Sequence, residues 1–82
     1  MKYEAISRVN SGCWESDPYV GEIEAESSED AMEQYLALIA DNLRAVNAVY
    51  SGKCGDIVEY RYGDVILEIA MKEIEEDTEE NT

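Results

Sequence analysis

The chain has 82 residues, with 20 Asp and Glu against 6 Lys and Arg, no His, and a formal net charge of −14. This length holds one domain with one modest core. Without His there is no His general base, no His metal ligand and no Ser-His or Cys-His pair. The charge excludes direct binding of nucleic acid and of anionic membranes, because both need a basic patch. Apolar residues make up 45% of the chain, enough for a folded core.

Residues 2–10 alternate, with Tyr3, Ala5, Ser7 and Val9 on one face and Lys2, Glu4, Ile6 and Arg8 on the other. A period of two predicts a strand. Asn10, Ser11 and Gly12 open a loop that Ser16, Asp17 and Pro18 close. Residues 19–26 alternate again, so a second strand and a hairpin with a long connection are expected. Ser27 is a helix N-cap, and Glu29 and Asp30 fall at the positive end of the helix dipole. Met32, Tyr35, Leu36, Ile39, Leu43 and Val46 keep a helical period, which predicts one long helix over 28–48. Residues 51–55 read as its stop.

Residues 56–62 predict a third strand, with Val58, Tyr60 and Tyr62 inward. Gly63-Asp64 is a tight turn. Residues 65–72 predict a fourth strand, with Val65, Leu67, Ile69 and Met71 inward. The expected fold is α+β with two layers: a mostly antiparallel four-stranded sheet with one long helix on one face, in the order β-β-α-β-β. Residues 1–72 form the domain, and residues 73–82, with six carboxylates, form an acidic tail. No apolar run approaches the ~20 residues of a membrane span. The N-terminus has no secretory profile, so a cytoplasmic location is expected. Cys13 and Cys54 are expected as free thiols. A helix parallel to the first strand would allow the two to be neighbours.

No catalytic constellation, cofactor site or metal site is legible. The glycines are scattered, the Ca²⁺ loop pattern is missing, and an 82-residue domain has little room for a carboxylate-lined cleft. A non-enzyme is expected. The distinctive feature is the placement of charge. Glu22, Glu24 and Glu26 share one face of the second strand, and Glu29, Asp30 and Glu33 continue into the helix. Same-face strand residues repeat every ~6.7 Å, close to the contour spacing of phosphates along a nucleic-acid strand. A magnitude of 14 exceeds the ~2–8 that solubility asks of a small domain. Trp14, between Glu15 and Asp17 in the adjoining loop, is a candidate interface anchor.

Small size, the strand-strand-helix-strand-strand order and extreme acidity together resemble the small phage-encoded anti-CRISPR proteins, above all the acidic ones that mimic nucleic acid. The stretch EIEAESSEDA, residues 22–31, is also similar to the strand-into-helix segment of a small type I-F inhibitor. The resemblance implies stoichiometric inhibition of a CRISPR effector in a bacterial host cell, at a Lys/Arg-lined DNA- or PAM-binding surface, without a cofactor. Glu22, Glu24, Glu26, Glu29, Asp30 and Glu33 are the expected contacts, with Glu15, Asp17 and Trp14 beside them. Two other readings stay open. The mimic could meet another nucleic-acid-binding protein. Alternatively, the chain could be a small assembly protein that dimerises through its sheet, with Ile6, Ile57, Ile66 and Ala70 as the seam. A monomer and a homodimer are both compatible with the sequence.

Overall fold

The computed structural model describes residues 1–74. The elements are β1 (Lys2–Val9), β2 (Glu15–Ser16), β3 (Glu22–Glu24), α1 (Ser28–Leu38), α2 (Ala40–Ala45), β4 (Val49–Cys54), β5 (Ile57–Tyr62) and β6 (Val65–Ile74). The strands form one six-stranded sheet in the order β2-β1-β6-β5-β4, with β3 also on β1. The described pairings are antiparallel. The α+β class and the mostly antiparallel sheet match expectation. The four-strand count and the single long helix do not.

The first difference lies along β1. The expected loop contains β2, whose Glu15 and Ser16 pair with Ser7 and Ile6. The Asp17 N–H still reaches the Ala5 carbonyl at 3.2 Å. The chain then swings away from the sheet and returns through Gly21, whose φ of 72° suits glycine. It rejoins β1 as β3, opposite residues 2–4. The expected second strand, 19–26, thus shrinks to Glu22–Glu24, and one edge of β1 is covered in two short pieces.

The second difference is in the helix. Ile39, at φ −100° and ψ 8°, caps both α1 and α2. Its N–H still donates to Tyr35 and its carbonyl accepts from Leu43, so the interruption is a one-residue kink. The helix ends at Asn47, with φ at 59°, because Asn tolerates the left-handed terminating conformation. Its N–H donates to Arg44, and that of Ala48 to Leu43. This stop frees residues 49–54 to become β4, which pairs with β5. The expected loop is therefore a strand. Its leading Val49 and Tyr50 are good strand formers.

Alternation sorts most positions of β1, β5 and β6 as predicted, but Val9 on the inward face is exposed, and before β3 Tyr19 is exposed while Val20 packs against the core. Tyr3, Ala5, Ile23, Ala25, Val58 and Ile69 are buried against Ala31, Met32 and Tyr35 of α1. Leu36, Ile39, Tyr60, Leu67 and Met71 pack around them. The helical stripe fades after the kink: Leu43 is half-buried, and Val46 is exposed. On the other face, Ile6, Ile57, Ile66 and Ala70 are half-buried. Arg8 crosses that face to Glu68 at 2.7 Å, and Ile6 sits opposite Ala70. Long charged stems shield such apolar positions.

Two further assignments change. Glu73 and Ile74 belong to β6, opposite Tyr3 and Lys2, and not to the expected tail. The rest of that tail, 75–82, lies outside the described residues. Cys13 and Cys54 are free and exposed, but not neighbours. Cys13 leads into β2 at one sheet edge, and Cys54 ends β4 at the other. Four strand spacings separate those edges, about 19 Å, far beyond the ~7 Å limit for a disulfide. Among the described residues, no helix is long and apolar enough to cross a membrane.

Ile69 is 1% exposed at the centre of the core. Ile69→Ala is expected to cost about 2–5 kcal/mol of unfolding free energy, read by urea titration. The half-buried Ile66→Ala on the other face should cost clearly less. Equal losses would mean that both faces are covered.

Candidate acidic interaction face

The carboxylate row rests on two buried anchors. Ile23 and Ala25 point into the core at 4% and 6% exposure, so Glu22, Glu24 and Glu26 must point out. Pairing with β1 sets the height of the row: Glu22 lies opposite Glu4, and Glu24 opposite Lys2. The row is partly countered. The Lys2 ammonium lies 3.7 Å from Glu22, and the N-terminal amine 3.3 Å from Glu24. Both are exposed ion pairs of small energetic value.

The turn from β3 into α1 is hydrogen-bonded throughout. The Asp30 N–H donates to Ser27 Oγ at 3.1 Å, and the Glu26 N–H donates to Asp30 Oδ2 at 3.3 Å. Ser27 is the N-cap, and Asp30 reaches back one residue beyond it, a variant of the capping box. Gln34 Nε2 donates to the Glu24 carbonyl at 3.0 Å and to Asp30 Oδ2 at 3.3 Å. Gln34, which the periodicity assigns only to the solvated side, thus ties β3 to the helix. The Asp30–Gln34 spacing of four was the available signal. Glu29 and Glu33 stay exposed, one turn apart at ~6 Å. Glu22 and Glu24 point to the sheet face away from α1, whereas Glu29 lines a shallow hollow with Lys53, Asp56 and Val58, so the strand and helix carboxylates form two acidic surfaces.

Not every expected contact residue is free for a partner. Asp30 is committed to the cap. Asp17 accepts from the Tyr19 N–H at 2.9 Å and from the Tyr35 hydroxyl at 2.8 Å. Trp14 lies under the Arg8 guanidinium, 4.7 Å from its ring centre, and is half-buried. Its role is to extend the outer face of the sheet by a cation–π contact. Glu15 is exposed but pairs with Ser7 on the core-side face of β1, whereas Glu22 pairs with Glu4 on the other face, three residues or about 10 Å away. Glu15 therefore does not join the row.

Sequence reasoning missed Glu4 as a neighbour of the row. Glu4 stands between Glu22 and Lys72 across the sheet, and its place on the Lys2 face was already visible in the alternation. Among the described residues, no group of three or more metal-ligating side chains comes together. No family model matches the chain, and comparison with curated proteins and with solved structures also finds no match.

The Tyr35 phenol is pushed far above its ordinary value of 10.0, first by burial, then by the hydrogen bond to Asp17 and its charge. The Glu59 carboxyl is lowered by hydrogen bonds from Ser51 and Arg61. A raised Tyr35 pKa means that the folded state holds this proton longer than the unfolded state. Its contribution is complete below pH 10.0 and is lost as pH rises through the folded value. Tyr35→Phe should cost about 1 kcal/mol at pH 7, and should flatten the loss of stability above pH 10.0. Urea midpoints across alkaline pH measure this. An unchanged alkaline slope would mean that Tyr35 does not govern it.

Proposed function

We propose that this protein is a stoichiometric, non-enzymatic inhibitor that covers a Lys/Arg-rich nucleic-acid-binding surface by acidic mimicry, with a CRISPR effector in the bacterial cytoplasm as its target. The supporting observation is the set of exposed carboxylates Glu22, Glu24 and Glu26 at β3, with Glu29 and Glu33 also exposed on the α1 that follows. Ser27, Asp30 and Gln34 hold the two elements in register. Fixed carboxylates at ~6–7 Å spacing present charge to a basic groove with little ordering cost on binding. Electrostatic complementarity of this kind raises the on-rate and selects the partner. Asp30 and Asp17 act as positioning residues here, and Trp14 as sheet support. No cofactor is needed. The same carboxylates would serve a mimic of nucleic acid aimed at another DNA-binding protein, and capture of the target decides between them.

The test is a titration of an effector's DNA binding with the full chain. Glu29→Gln with Glu33→Gln should weaken inhibition at least about tenfold at 0.15 M salt. Asp41→Asn with Asp64→Asn removes the same charge elsewhere and should change it little. Inhibition should also fall steeply as salt rises, since exposed charges are screened over ~10 Å at 0.1 M. Equal losses from both double variants would show that net charge acts, and not these positions. No capture of any nucleic-acid-binding protein at low salt would overturn the proposal.

A further inference from the structure

We propose that β4 is the seam of a homodimer, in which two copies of this chain pair antiparallel along their Val49–Cys54 edges. Among the described residues, the sheet has two ends and only one is open. At one end β1 is covered by β2 and β3, short strands that carry Glu15, Glu22 and Glu24. Short acidic edges resist strand addition. At the other end β4 runs for six residues with β5 on one side only. Its sequence, VYSGKC, has no carboxylate.

The charge pattern selects a second copy as the occupant. Two chains of −14 repel over most of their surfaces. Residues 42–55 are the longest stretch without Asp or Glu, and they carry Arg44 and Lys53. Along this edge two copies approach with the least repulsion. Exposed apolar side chains gather there as well: Val46 at 46%, Val49 at 65% and Tyr50 at 55%. Val49 and Tyr50 are adjacent in the strand and so point to opposite faces. Edge pairing covers both.

The same asymmetry closes the assembly. Because the acidic edge refuses a strand, the contact is β4 on β4, an isologous two-fold pairing and not a growing filament. The register shift between Tyr50 and Gly52 limits the number of backbone hydrogen bonds, as bulges at edges do. The dimer is therefore weak and concentration-dependent. It does not rest on the inhibitor reading, and its salt response has the opposite sign: screening the residual repulsion tightens it.

Sedimentation equilibrium of the full chain, up to about 1 mM and in low and high salt, is the test. The mass should rise toward twice the 9.2 kDa of the monomer, and more readily in high salt. Val49→Glu puts a carboxylate on the seam at an exposed position. It should weaken dimerisation at least about tenfold with an unchanged circular dichroism spectrum. The wild-type chain carries a second reporter: Cys54 alkylation should slow as concentration rises, while Cys13 alkylation should not. A monomer at every concentration and salt overturns the proposal. So does a dimer in which Cys54 stays as reactive as in dilute solution, because the seam then lies elsewhere, such as the Ile6 and Ala70 face.

Discussion

The pairing of β1 with β6 holds the molecule together. It runs over eight residue pairs, from Lys2 opposite Ile74 to Val9 opposite Leu67. It joins the first and last described strands, so chain-closure entropy is met by the longest ladder in the sheet. One face of it brings Ala5 and Ile69 beneath α1. The other carries Arg8 with Glu68 and Ile6 with Ala70. The remaining strands attach to one side or the other of this pair. Asn10 locks its far end: its N–H donates to the Ile66 carbonyl, and its side-chain oxygen accepts from the Ile66 N–H, both at 2.9 Å.

That pairing also decides where charge collects. β3 joins β1 beside Lys2, and β6 ends on the other side of the same residue. The Glu22–Glu24 row, the start of α1 and the end of β6 therefore share one end of the fold. The repulsion is relieved in three ways. Lys2 and the N-terminal amine sit against Glu22 and Glu24. Glu29 and Asp30 lie at the positive end of α1. The Asp30 carboxylate accepts from the Glu26 N–H and from Gln34 through Oδ2. The carboxylate-free edge of β4 lies at the opposite margin of the sheet.

Residues with strong local reasons for their behaviour were legible from the start. The alternation in β1, β5 and β6 put Tyr3, Val58 and Ile69 inside without reference to any partner strand. Ser27 was legible as the cap because its hydroxyl bonds within the same turn. The outward direction of Glu22, Glu24 and Glu26 followed from the period of β3. Trp14 was not legible, because what it does depends on Arg8, and Arg8 reaches it only across the β1–β2 pairing. Asp17 was equally hidden, since its partner Tyr35 comes from the helix. The kink at Ile39 has no Pro or Gly to announce it.

Sequence alone determined the α+β class, the inward and outward faces of the long strands, the start of the helix, and the outward carboxylates of residues 22–33. Each depends on residues within a few positions of one another, where periodicity and capping act. The tertiary structure decided the strand order, the two-piece edge of β2 and β3, the end of the helix at Asn47, and the conversion of residues 49–54 into β4. It also parted Cys13 from Cys54 and separated Glu15 from the acidic row. Those outcomes depend on which strand meets which, and pairing energy is set by neighbours that are distant in sequence.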